Sequence, residues 1–358
     1  MTNSVEIQFF VSEFPCIRIH FRLSRASPND NSRLSPGGRG IKLKRSAIAA
    51  VSASFTGPSS VAISVAQLGH YLGPYRLSSI VGAGRACQVW EAVHEGDSRR
   101  VALKVLVPQH SHDSQQLNLM RHEFEVGRGF DHPRVIRTME FDTSRQAPYL
   151  VLEFFGPQNL KQLILQGVDQ IAYLAPKIIE QAADGLAYFH RQGWIHRDIK
   201  PNNFLTNAEG DVKLIDFALA ERRKGFLGRL FGGGSKIQGT RSYISPEQIR
   251  RQALDQRSDI YSFGCMAHEI IAGKAPFTGN TDNELLTKHL KSGPPPLEGI
   301  NSNVRPEFSK LVRQMLAKEP AERPESMDEV LHAVKSMRVF RTNPAPPKAE
   351  SGGRKGEG

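Results

Sequence analysis

Between residues 75 and 155 the chain is written in short runs rich in Val, Ile and Leu, separated by turn residues. Beyond 155 helical periodicity takes over and lasts to about residue 337. A strand-rich first lobe followed by a helix-rich second is an α+β pattern, bilobal, with a cleft expected between the lobes. "RQAPYLVLEFF" at 145–155 reads as a strand. "LAPKIIEQAADGLAYFHRQG" places Ile178, Ile179, Ala182, Leu186 and Phe189 on one helical face, with Gly193 as its stop signal. The same spacing predicts helices over 259–273, 281–292, 307–317 and 326–337. No repeat with a period of 20–50 residues is present.

The flanks differ from this centre. Residues 1–70 read as an irregular extension, because Pro28, Pro36-Gly37-Gly38, Gly40 and Pro58 break any period. Eight Lys or Arg against three acids make it basic, and its composition suits a disordered arm. The globular part is expected over 71–340, with an N-lobe of about 71–155 and a C-lobe of about 156–340. "RTNPAPPKAESGGRKGEG" at 341–358 is a disordered tail by composition.

Hydrophobic residues make up 39% of the 358 and charged residues 23%, values of an ordinary globular chain. The net charge of +11 informs about partners rather than fold. It selects none of nucleic acid, acidic lipid or acidic protein, and no nucleic-acid partner is expected. Cys16, Cys87 and Cys265 lie far apart and are odd in number, which points to a reducing, cytoplasmic setting rather than a disulfide framework. The apolar-looking runs at 46–69 and 259–273 are interrupted by polar residues, so no membrane span is predicted. The N-terminus has no charged segment followed by an apolar core, the pattern of a secretory signal.

Four segments carry chemistry. "IVGAGRACQVW" at 80–90 places Gly82 and Gly84 between two strand-like runs. Glycines let backbone amides come close to phosphate oxygens, although an ordinary β-turn would read the same. In "VALKV" Lys104 sits inside an apolar strand, which is costly unless its ammonium finds an anion. The helix that follows offers Glu123 and Glu125, two residues apart and so on different faces. In "VKLIDFALA" Asp216 ends an apolar strand, where a carboxylate can project into a cleft. The fourth is "WIHRDIKPNNF" at 194–204, in which Asp198 is placed to accept a hydroxyl proton, Lys200 to neutralise a moving phosphate and Asn203 to hold a metal. Asp216 and Asn203 are hard oxygen donors suited to magnesium and a poor zinc set. "QHSHD" at 109–113 reads as a solvated loop. Phosphoryl transfer asks for positioning and charge stabilisation of this kind.

In this order the segments resemble a eukaryotic-type protein serine/threonine kinase of the bacterial kind, over residues 75–338. "VGAGRACQV" resembles the glycine-rich loop, "VALK" the strand of the nucleotide lysine and "HRDIKPNN" the catalytic loop. "DFA" stands in the place of DFG, "SPE" in the place of APE, and "SDIYSFG" opens the next helix. The resemblance implies ATP and Mg2+ as ligands and protein Ser/Thr hydroxyls as acceptors. It implies Asp198, Lys200 and Lys104 as catalytic residues and Asn203 and Asp216 at the metal. ATP would be held by Val81, Gly82, Ala83, Gly84, Val89, Ala102, Lys104, Glu123, Glu153, Phe155 and Leu205, with Leu152 as gatekeeper and Glu153 to Phe155 as hinge. Glu123 is chosen over Glu125 by its distance from "DHP". By resemblance Arg197 gathers a phosphate on the activation segment, Thr240 contacts Lys200, Glu247 pairs with Arg323, and Asp259 is structural. Ser235 is then the expected activating autophosphorylation site, among the basic residues Arg222, Arg223, Lys224, Arg229 and Lys236.

Three positions depart from the family pattern and suit the rival reading of a pseudokinase scaffold. Ala218 replaces a glycine, and alanine tolerates positive φ poorly. Cys87 replaces the third loop glycine and is expected to be a neutral, packed thiol. Gly127 leaves the helix of Glu123 without an apolar side chain one turn on, so that helix is expected to be loosely held.

Overall fold

The computed structural model describes residues 70–143, 147–156, 158–223 and 241–347, together with the backbone of two strands further upstream. Those strands, β1 (Ser4–Phe9) and β2 (Ile17–Arg22), pair antiparallel with Ser4 opposite Arg22. The expectation of an irregular arm is therefore corrected over this stretch. Val5, Ile7 and Phe9, and then Ile17, Ile19 and Phe21, alternate with the period of two that a strand uses, on either side of Pro15 and upstream of Pro28 and the later breakers.

The first lobe is an antiparallel sheet in the order β3-β4-β5-β6-β8-β7. Its strands are β3 (Tyr71–Leu72), β4 (Tyr75–Ala83), β5 (Cys87–His94), β6 (Arg100–Leu106), β7 (Thr138–Asp142) and β8 (Tyr149–Glu153). Alternation sorts the side chains into two faces. Trp90, Ala92, Val101, Leu103 and Val105 are buried together in the lobe's own core, while Val89, Ala102 and Lys104 point the other way, towards the cleft. One helix packs under the sheet, α1 (Ser114–Gly127). Asp113 caps it by accepting from the backbone N–H groups of Gln115 and Gln116.

The second lobe starts with β9 (Gln158–Asn159), α2 (Leu160–Leu165), α3 (Val168–Ile171) and α4 (Ala175–Arg191), which buries the predicted face from Ile178 to Phe189. The loop strands β10 (Trp194–Ile195), β11 (Phe204–Thr206), β12 (Val212–Leu214) and β13 (Glu221–Arg222) follow. Then come α5 (Pro246–Ile249), α6 (Gln256–Ala272), α7 (Asp282–Lys291), α8 (Leu297–Ile300), α9 (Pro306–Met315) and α10 (Met327–Ser336). The four longer of these lie within three residues of the expected bounds. Helix α6 is buried on every side from Ser258 to Ile271, so it serves as the axis on which the loops below are hung. No helix among the described residues is long and apolar enough to cross a membrane.

The expectation of a loosely held α1 is also corrected. Gly127 is buried, and a Cβ built there would lie 2.3 Å from Thr138 Oγ1, 3.0 Å from Thr138 Cβ and 3.0 Å from Phe217. The glycine is what lets the helix approach this closely. Gly127→Ala would gain up to about 1 kcal/mol of helix propensity. Overpacking against a β-branched neighbour costs about 1–3 kcal/mol, and the Thr138 Cβ cannot rotate away. The expected net result is a lower melting temperature in a thermal melt, together with weaker nucleotide binding as α1 shifts outward.

Candidate active site

Three side chains distant in sequence meet where the lobes join. Lys104 Nζ donates to Glu123 Oε2 at 2.6 Å and to Asp216 Oδ1 at 3.3 Å. One cation is therefore shared by a carboxylate from α1 and one from the loop after β12. Glu125, two residues on, instead pairs with Arg128 on the surface. Burial alone would lower the affinity of Lys104 for its proton, but the charges of Asp216 and Glu123 outweigh it and raise the pKa. Burial would push Asp216 upward, yet Lys104, His196 and Lys200 hold it below its ordinary range. Glu123 goes the other way. Its side chain is only 3% exposed, and that burial lifts it to about 7 despite the pull of Lys104.

Asp198 is held from two sides. Lys200 Nζ lies 2.7 Å from its Oδ2, and the Asn203 amide donates both to Oδ2 at 3.1 Å and to the backbone carbonyl at 2.8 Å. The amide nitrogen of Asn203 is thus committed, which leaves its carbonyl oxygen as the free donor atom. The loop itself is fixed from below by Asp259 on α6. Asp259 accepts from the His196 and Arg197 backbone N–H groups at 2.7 and 2.8 Å and from His190 Nε2 at 2.8 Å. Two backbone positions bear the strain of this geometry. Arg197 and Asp216 have φ of 70° and 68°, a region that costs L-residues on the order of 1–3 kcal/mol and clusters at functional sites.

The remaining expected contacts surround this centre. Val81, Gly82 and Ala83 lie on β4 and Gly84 in the turn after it, with Gly82 opposite Val89. Val89 faces Lys104 across β5 and β6, and Ala102 faces Leu152 across β6 and β8. Ala102, Phe155 and Leu205 are half-buried against one core, Ala102 from the first lobe and Leu205 from the second. Glu153 is turned towards the second lobe, where Lys213 Nζ meets it at 2.8 Å. Arg323 and Glu247 form a buried two-pronged pair at 2.7 and 2.8 Å. Ser235 and Thr240 lie outside the described residues.

Two of the three departures, Ala218 and Gly127, resolve differently from expectation, while Cys87 is the packed thiol that was expected. The left-handed residue of the segment is Asp216, and Ala218 is not at positive φ, so alanine there carries no backbone penalty. Burial lifts the Cys87 thiol to about 11, so it is neutral. Gly127 is a close approach rather than a void. Sequence reasoning missed three contacts. Glu221 meets Arg197 Nη1 at 3.1 Å, His122 Nε2 lies 2.7 Å from the Ala220 carbonyl, and Gln248 donates to the Arg197 carbonyl at 3.0 Å. Only spatial pairing, such as Ile195 opposite Glu221, brings the first of these together.

A curled sheet over a helical lobe, with a lysine bridged to two acids and a third acid held by an amide, defines the class of bilobal phosphotransferases. The protein kinase domain model matches residues 75–334, and the chain belongs to that family, in its bacterial serine/threonine branch. The serine/threonine-protein kinase PknA of Corynebacterium glutamicum is 32% identical over 280 residues, covering 76% of this chain and 58% of that relative. PknA of Mycobacterium tuberculosis is 32% identical over 287 residues, covering 79% and 65%. PknL of the same species is 30% identical over 249 residues, covering 70% and 62%. The chain thus spans somewhat over half the length of the relatives it matches.

Proposed function

We propose that this chain is a serine/threonine protein kinase, transferring the γ-phosphoryl group of ATP to Ser or Thr hydroxyls of proteins with Mg2+. The observation that carries the reading is the pair of hydrogen bonds that Lys104 donates, one to Glu123 and one to Asp216, together with an Asp198 whose carboxylate is already oriented. In this reading the acceptor hydroxyl oxygen attacks phosphorus as Asp198 takes its proton. The bond to the bridging oxygen breaks, and ADP leaves. Lys200, 2.7 Å from Asp198, offsets charge moving on the phosphoryl oxygens. Lys104 holds the phosphates, positioned by Glu123.

The donor set fits magnesium. Asp216 keeps one carboxylate oxygen beyond the one bonded to Lys104, and Asn203 keeps its carbonyl oxygen. Among the described residues no group of three or more His, Cys, Asp or Glu could hold an ion. Two hard oxygens suit an ion that retains water and phosphate ligands. When bound, it would neutralise charge on the phosphates. Choice of Ser and Thr over Tyr rests on Lys200 and on the "GTRSYISPE" segment, and a cytoplasmic setting on the free thiols Cys87 and Cys265. Ser235 is proposed as an autophosphorylation site.

The test is incubation of the full chain with γ-labelled ATP, Mg2+ and a generic basic protein. Label is expected on Ser or Thr, and excess EDTA should remove the transfer. A chain that binds nucleotide tightly but moves no label would sink the proposal.

A further inference from the structure

We propose that Glu221 is a positioning residue that occupies Arg197 as its anion, so that the Asp198 loop is set without phosphate on the segment beyond. The inference rests on the kinase reading and changes the role expected of Ser235.

Arg197 directly precedes Asp198, and its side chain is 13% exposed. An arginine so far out of water needs an anion beside it. Glu221 supplies one at 3.1 Å from Nη1. The backbone of Arg197 is fixed as well, its N–H by Asp259 and its carbonyl by Gln248. With its guanidinium on Glu221 and its backbone on Asp259 and Gln248, Arg197 cannot drift without dragging Asp198.

Glu221 is itself anchored by several independent contacts. It pairs with Ile195 across β10 and β13, and the Arg223 N–H donates to the Gly193 carbonyl at 2.8 Å. The Arg222 guanidinium lies 4.5 Å from the centre of the Trp194 ring. His122 reaches the Ala220 carbonyl from α1 and meets Trp194 edge-on at 6.1 Å. His122 is the neighbour of Glu123. The strand bearing Glu221 therefore ties the helix that positions Lys104 to the loop that carries Asp198.

The experiment strips phosphate from the full wild-type chain with a phosphatase, verifies its absence by mass spectrometry and measures initial rates before autophosphorylation. Ser235→Ala and Glu221→Gln are measured alongside. Stripped wild type and Ser235→Ala should keep kcat within about twofold, the scale of a near-neutral surface change. Glu221→Gln should lose kcat by about tenfold, the scale of one charge-assisted hydrogen bond, with the KM for ATP unchanged. Stripped wild type that loses most of its activity, or Glu221→Gln with full kcat, overturns the inference and leaves the kinase reading standing. Wild type with no transfer under any condition overturns both.

Discussion

Asp198→Asn is expected to lower phosphoryl transfer by about 10²–10⁴-fold, the usual contribution of a positioned general base, while nucleotide binding persists. The asparagine is nearly isosteric, and the Asn203 bond to the backbone carbonyl of residue 198 at 2.8 Å does not depend on the carboxylate. Lys104 donates to Glu123 and to Asp216 and not to Asp198, so the grip on phosphates should survive. The replaced side chain forfeits its ion pair with Lys200 and its ability to take a proton. Initial rates with γ-labelled ATP, beside a nucleotide-binding titration, separate the two effects. Unchanged transfer in the variant would show that the label came from a contaminant.

Arg323→Ala should cost about 3–5 kcal/mol of stability, as removal of one member of a buried ion pair typically does. Glu247 would be left with its side chain 4% exposed and, among the described residues, the Ser258 hydroxyl at 2.7 Å as its remaining side-chain donor. The carbonyls of Arg257, Ala317 and Lys318 would also lose a donor. For a domain of this size each kcal/mol moves the melting point by roughly 2–4 °C, so a fall on the order of 10 °C is expected in calorimetry. Arg323→Met with Glu247→Leu should recover much of that loss, because two apolar groups leave no charge stranded. If the single and double variants melt alike, the pair contributes shape rather than charge compensation.

The legible parts of this chain were those fixed by period and order. Alternation in "RVALKVL" assigns Val101, Leu103 and Val105 to a core and Lys104 to the opposite face, and the structure keeps that division. Helical spacing placed α4 and α6 within three residues. The lysine's need for an anion led to Glu123 and Glu125, and the family resemblance chose between them. Less legible were properties that depend on what lies across a gap. Gly127 read as missing packing, since sequence does not show that Thr138 and Phe217 already fill the space. Ala218 read as strained because the left-handed residue was placed two positions late. Glu221 went unnoticed because its significance comes from Arg197, far away in sequence, and a two-residue strand pairing leaves no periodic trace.

The closeness of α1 to β7 has a consequence for how such a lobe can vary. Among the described residues the threonine hydroxyl turned towards Gly127 has no hydrogen-bond partner, so what it contributes there is bulk rather than polarity. Volume at that junction is a shared allotment, and neither helix nor strand can enlarge its portion alone. Changes at 127 and 138 must be traded against each other, which couples two positions whose chemistry has no part in moving phosphate.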